Sequence, residues 1–187
     1  MPTRSDAPLL VTLGFDPPTF ERLDRLRARY FPPDRNIVPA HLSLFHHLPG
    51  DSDGEIARVL AEAARGPGPV PLAFPDVKRA SRGVMALVEA PGLAAIRSDL
   101  ARSFARWLTP QDRQPFRPHV TLMNKADRVD ADRAFEELRA SWEPWAGTGD
   151  RLLLWRYLGG PWEAVDAFEF EAEADPTASS PPSRSEG

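Results

Sequence analysis

The stretch Arg117-Pro118-His119-Val120-Thr121-Leu122 has a shorter counterpart, His41-Leu42-Ser43-Leu44, at an offset of 78 residues. Each places a histidine two positions before a hydroxyl, with an apolar residue between and another after. In a strand, positions i and i+2 share a face. Each segment is therefore expected to present one imidazole and one hydroxyl together, turning Leu42 or Val120 into a packed layer.

The same offset superimposes the surrounding pattern. Leu9, Leu10, Val11 and Leu13 read as a first strand closed by Asp16-Pro17-Pro18, and fall near a strand at 84–89. Phe20, Leu23, Leu26 and Tyr30 recur at helical spacing behind those prolines, which predicts a helix over 18–30. It falls on a helix over 93–108 carrying Leu93, Ile96, Leu100, Phe104 and Trp107. The capping-box pattern Ser52-Asp53-Gly54-Glu55 predicts a helix at 53–65, matched by one at 130–142 capped by Asp130. Each half reads strand, helix, motif strand, helix, which is an internal duplication.

Residues 70–77 and 84–89 read as strands joined by the Ser81-Arg82-Gly83 turn, and 152–158 with 162–170 as a closing hairpin. The pattern predicts an α+β fold over residues 7–174. It is bilobal, with two pseudo-twofold-related lobes whose antiparallel sheets line a central cleft and whose helices lie outside. Residues 175–187 carry no large apolar side chain and are expected to form a disordered tail.

Composition narrows the function classes. With 187 residues, 42% of them hydrophobic, the chain can build one core or two small packed lobes. The absence of cysteine excludes disulfides, thiolate zinc sites and cysteine nucleophiles. The apolar run Ala7–Phe15 is too short to span a bilayer, and the N-terminus lacks a secretory pattern, so a cytoplasmic protein is expected. A net charge of −4 argues against wrapping long nucleic acid. Arg97, Arg102, Arg106, Arg113, Arg117 and Lys125 against Asp99 and Asp112 make a local +4. That segment either holds a compact anion or is a solvated basic face.

Two imidazoles and two hydroxyls around one cleft suit phosphodiester chemistry without a metal. One neutral imidazole takes a proton from the attacking group, and one imidazolium protonates the leaving oxygen. The hydroxyls donate to non-bridging oxygens as charge builds. Among the other residues, His46 and His47 with Asp51 or Asp53 lack metal-ligand spacing. By strand parity His47 falls at the cleft mouth or on the surface. Phe45 shares parity with His41, so it either stacks a base or packs in the core, the core being the better reading. Arg117 and Lys125 are further candidate substrate contacts, and Trp155, Tyr157 and Trp162 form a candidate stacking surface.

The paired motifs resemble those of the 2H phosphoesterase superfamily, which includes 2′-5′ RNA ligase and RNA 2′,3′-cyclic phosphodiesterase proteins. Pro118-His-Val-Thr-Leu122 is the most specific piece of the likeness. The resemblance implies a bilobal α+β fold and hydrolysis of a 2′,3′-cyclic phosphate, with some members joining or splitting 2′-5′ linkages. It implies His41 as proton donor, His119 as proton acceptor, and Ser43 and Thr121 as phosphate holders. It implies chemistry without a metal. The expected partner is an RNA terminus or small nucleotide bearing a cyclic phosphate, bound by a monomer without cofactor or membrane. Two positions depart from the pattern: Ser43 stands where threonine is commoner, and Asn124 where many RNA-acting relatives carry arginine, with Lys125 next to it. A binding module without turnover, and the same chemistry on a non-RNA cyclic phosphate, are the competing readings.

Overall fold

The structure, a computed structural model, describes residues 6–172; the expected tail at 175–187 lies outside them. Strand β1 (Leu9–Phe15) is buried along its whole length. It runs between β2 (Leu42–Leu48) and the long β8 (Trp145–Tyr157), antiparallel to both. Between β1 and β2, helix α1 (Pro17–Tyr30) starts on Asp16, whose carboxylate accepts from the Thr19 N–H at 3.1 Å. Pro17 and Pro18 fill the first helical positions, where their missing N–H groups cost nothing. Helix α2 (Asp53–Ala63) follows β2. Ser52 sits at its N-cap without capping it: the hydroxyl donates instead to Asp51 at 3.1 Å.

The expected strand at 70–77 is two strands. Pro75 cannot donate to a ladder, and the chain changes sheet around it. The short β3 (Arg65–Gly66) precedes β4 (Val70–Phe74), which pairs with the start of β8. Beyond the proline, β5 (Val77–Ala80) forms the hairpin with β6 (Gly83–Leu87). Strand β6 then pairs with β7 (His119–Met123), giving a separate three-stranded sheet. Gly83 is required there, since a Cβ would lie 1.8 Å from the Met123 carbonyl oxygen.

Helix α3 (Pro91–Ser103) lies between β6 and β7 and ends five residues before the expected 108. Residues 104–107 continue as tight turns, and the Arg113 guanidinium takes the freed carbonyls of Ala105 and Leu108. Helix α4 (Arg128–Ser141) follows β7, with Asp127 rather than Asp130 at its N-cap. Strand β8 starts seven residues before the expected 152, and Gly147 and Gly149, which read as turn residues, belong to it because the Thr19 and Leu13 side chains pack where their Cβ atoms would be. Strand β9 (Trp162–Glu169) pairs with β8, and β10 (Glu171–Ala172) pairs with β3. The β-α-β-α order thus occurs twice, as β1-α1-β2-α2 and β6-α3-β7-α4. Strands β2 and β7, which carry the two motifs, come into contact across the join, and α1 packs on β7 as well as on β1 and β8.

Candidate active site

Both motif histidines are anchored in the same way. His41 lies immediately before β2, where Asp24 accepts from the Ala40 N–H at 3.1 Å, and its Nδ1 is 2.7 Å from the Pro39 carbonyl oxygen. His119 opens β7 with its Nδ1 2.8 Å from the Arg117 carbonyl oxygen. In each case the carbonyl belongs to the residue two positions back. A carbonyl only accepts, so Nδ1 carries the proton and Nε2 is left to exchange one. Leu42 and Val120 are fully buried, while His41, Ser43, His119 and Thr121 are half-buried. The alternation expected of each motif is present on both strands.

A cavity of about 340 Å³ opens here, walled by His41, Thr121, Arg27, Lys125, Tyr157 and Trp162 among others. Ser43 and His119 are not on its wall. A protonated His119 would nevertheless push His41 down, so the two rings share one electrostatic neighbourhood. The Trp162 ring packs 4.6 Å from the His41 ring, and Trp155 stands 6.0 Å behind it, its Nε1 donating to the Thr12 hydroxyl. Burial therefore dominates at His41. It outweighs the Pro39 hydrogen bond, which favours the cation, and the charges of Arg27, His46 and His119 add to it. The imidazole is lowered from 6.5 to about 4. Without a ligand, His41 is neutral at physiological pH.

Two buried arginines tie the halves together. On α1, Arg27 donates to the Thr121 carbonyl of β7 at 2.6 Å, to the Val38 carbonyl at 2.7 Å and to Asn36 Oδ1 at 2.8 Å. On α3, Arg97 donates to the Leu44 carbonyl of β2 at 2.7 Å and to the Asp112 carbonyl at 2.6 Å. Each half thus sends a guanidinium from its first helix to the motif strand of the other half. Arg27 is 2% exposed and its Nε has no hydrogen-bond partner among the described residues. Burial lowers its pKa, partly offset by Asp24. The series Thr19, Leu23, Arg27 at i, i+4, i+8 is the signal that marks it, a charge on a core face. The stripe Phe20, Leu23, Leu26, Tyr30 passes it by.

Residues 15–161 match the 2′-5′ RNA ligase superfamily. The chain belongs to that superfamily. Among solved structures, Escherichia coli LigT complexed with 3′-AMP superposes with a TM-score of 0.62 at 20% identity, over 88% of this chain and 98% of that one. TT0787 of Thermus thermophilus superposes with a TM-score of 0.59 at 19% identity, over 89% and 100%. LigT complexed with ATP gives 0.56 at 20% identity, over 89% and 98%. No curated protein matches the sequence. The resemblance to 2H phosphoesterases and the α+β fold are thereby shown.

Several candidates in this superfamily member lie elsewhere than strand parity suggests. Phe45 is fully buried, edge-on to Phe104 at 5.2 Å and under the Arg97 guanidinium at 3.9 Å, so it offers no face to a base. The reason is a bulge: Thr12 pairs with Ser43 and Val11 with Phe45, which skips Leu44 and breaks the alternation. The side chain of Arg117 is exposed and off the cleft wall; its carbonyl is what serves the site, by orienting His119.

Lys125 lines the cleft from a left-handed backbone position, φ 58°. Of the basic segment at 97–125 it alone does so, because Arg97 is buried, Arg102 pairs with Asp99, Arg106 with Glu55, and Arg113 holds carbonyls. His46 meets Asp112 at 3.0 Å rather than Asp51 or Asp53. Burial alone would raise the Asp112 carboxyl, but hydrogen bonds from the ring and backbone of His46 and from Thr109 bring it below its ordinary range. The ring of His47 is exposed and off the cleft wall. Of the candidate stacking residues, Tyr157 and Trp162 line the cleft while Trp155 backs Trp162.

Proposed function

We propose that this protein is a metal-independent phosphodiesterase that opens a 2′,3′-cyclic phosphate at an RNA end or on a small nucleotide. The observation that carries the reading is the identical anchoring of His41 and His119, each Nδ1 on the carbonyl two residues back. This leaves two Nε2 atoms to move protons. Membership of the superfamily agrees with it, as does the likeness to LigT, a protein crystallised in complex with 3′-AMP.

Water attacks phosphorus opposite the 3′ oxygen. One P–O bond forms, the P–O3′ bond breaks, and the product is a 2′-phosphate with a free 3′ hydroxyl. His119 Nε2 takes the proton of the water, and His41 Nε2–H gives one to O3′. The Ser43 and Thr121 hydroxyls donate to the non-bridging oxygens, whose charge grows in the transition state. Neutral His41 becomes a donor when the anionic phosphate arrives, because an opposite charge within a few ångströms favours the imidazolium. The buried Arg27 charge beside the cleft favours the same anion. With a 5′ hydroxyl attacking in place of water, the same pair would open the cyclic phosphate to a 2′-5′ linkage and a free 3′ hydroxyl, and by microscopic reversibility split that linkage back to the cyclic phosphate and the 5′ hydroxyl. The purified protein in EDTA, offered 2′,3′-cyclic mononucleotides, short RNAs ending in the cyclic phosphate and 2′-5′ dinucleotides, is expected to turn over the first two to 2′-phosphates. Binding without turnover of any of them would replace this reading by that of a nucleotide-binding module.

A further inference from the structure

A second cavity, of about 600 Å³, lies between the C-terminal end of α1, the loop after β7 and the first turns of α4. It shares Phe31, Arg35 and Lys125 with the wall of the cleft, so the two spaces meet at one aromatic ring and two cations. Lys125 stands at that junction because its backbone is left-handed, at φ 58°, with its N–H held by Asn124 Oδ1 at 2.8 Å. A non-glycine side chain kept in that region carries backbone strain, and such strain clusters at ligand clamps.

The charges on the second cavity are unbalanced. Arg29 is paired with Glu137 and Arg133 with Asp130, which leaves Arg35, Arg82 and Lys125 against Asp127 on the wall. Among the described residues Arg35 reaches its exposed neighbour Asp34, at 3.6 Å, and Arg82 reaches the Ala126 carbonyl through Nε. Tyr30 adds an aromatic ring, its hydroxyl fixed on Glu137 at 3.1 Å. Cations interleaved with aromatic faces are the chemistry that holds a nucleic-acid backbone and its bases.

We propose that this cavity is a subsite for the phosphate 5′ to the terminal nucleoside and for the nucleotide beyond it, so that the protein prefers an RNA end to a cyclic mononucleotide. The inference rests on the phosphodiesterase reading, which puts the terminal cyclic phosphate at His41 and Thr121. The chain can then continue only from the 5′ oxygen of that nucleoside. The shared rim at Lys125 gives it a route lined with positive charge.

The test is equilibrium binding to the full chain, followed by tryptophan fluorescence, of adenosine 2′-phosphate, its 5′-phosphorylated form, and the dinucleotide ApA bearing a 2′-phosphate. The dinucleotide is expected to bind about tenfold or more tightly than the mononucleotide, by an advantage that shrinks with added salt. A gain already complete with the 5′-phosphate identifies the phosphate as the group recognised. A further gain with the dinucleotide identifies the base as well. Arg133→Glu and Arg82→Gln, both on the second cavity and off the cleft wall, are expected to lower the ratio of dinucleotide to mononucleotide affinity. A ratio near one in the unaltered protein, or a ratio untouched by both substitutions, would overturn the subsite. Turnover of adenosine 2′,3′-cyclic phosphate tests the phosphodiesterase reading separately. If that turnover fails, the ratio of affinities still decides the subsite.

Discussion

The guanidinium of Arg27 donates to the carbonyl oxygen of Thr121 at 2.6 Å, joining the first helix of one half to the second motif of the other. The same group holds the Val38 carbonyl, three residues before His41, so one side chain sets the spacing between the motifs. Arg97 does the reciprocal work on the Leu44 carbonyl. These contacts are made to backbone, which makes them independent of the identity of the motif side chains. They also put a buried positive charge where an anionic substrate is expected.

Arg27→Met is expected to leave three acceptors without their donor. Each buried acceptor so orphaned costs about 1–3 kcal/mol, and the melting temperature should fall. Arg27→Lys keeps the charge and reaches fewer of the acceptors, so it should recover part of the stability. The readout specific to the site is His41. Arg27 contributes to holding that ring neutral, so its NMR titration should move upward in Arg27→Met and stay low in Arg27→Lys. A titration unmoved by Arg27→Met would make Arg27 a structural tie alone.

In the free protein the His41 ring should titrate near 4, well below its ordinary 6.5. Between those values an unfolded chain binds a proton that the native chain refuses. The contribution of His41 to stability is therefore fully present above about 6.5 and is lost as pH falls toward 4. His41→Gln should flatten that part of the stability curve. Inorganic phosphate or a nucleoside 2′-phosphate should raise the titration by placing an anion beside the ring. The kcat/KM profile, which reports the free protein, should therefore carry a lower His41 inflection than kcat, which reports the complex. A His41 ring titrating at 6.5 without ligand would contradict the burial by Trp162.

Much of the fold is readable in the sequence because duplication doubles each signal. The offset of 78 residues aligns two β-α-β-α units, and all four helices fall where apolar spacing puts them. The failures have local causes that one sequence does not encode by period. Pro75 moves the chain from one sheet to the other, the Leu44 bulge turns Phe45 inward, and Gly147 and Gly149 belong to a strand because of what packs on them. At the candidate site, the motif marks both histidines and both hydroxyls, of which His41 and Thr121 line the cleft. Arg27 and Arg97 escape because most of their partners are backbone carbonyls, which every residue carries. Only the folded chain shows which ones face a guanidinium.

In the proposed reaction Ser43→Ala and Thr121→Ala each remove one donor from the phosphate while others remain. Each should lower turnover of a cyclic phosphate by less than either histidine substitution, with the loss in kcat more than in KM if the donors tighten as charge develops. A loss confined to KM would mean that the hydroxyls bind substrate and transition state equally. The measurement is steady-state kinetics on one cyclic mononucleotide across the two variants.

His41→Ala and His119→Ala should each cost about 100-fold or more, the usual size of a general acid–base contribution. In the proposed reaction the two rings act on one transition state, one taking a proton from water as the other gives one to O3′. Losing the second partner after the first therefore removes less than it would alone, and the double variant should fall short of the product of the single losses. Their anchoring adds a finer expectation. Each ring is held through Nδ1 to a carbonyl, so His41→Asn, whose amide nitrogen stands where Nδ1 stood and can keep the donor to Pro39, should preserve the local backbone while abolishing proton transfer. Circular dichroism and melting close to those of the parent, together with lost turnover in EDTA, would separate the chemical role of the ring from its structural one. Near-full turnover in His119→Ala, or activity abolished by EDTA in the unaltered protein, would refute proton transfer by the histidine pair.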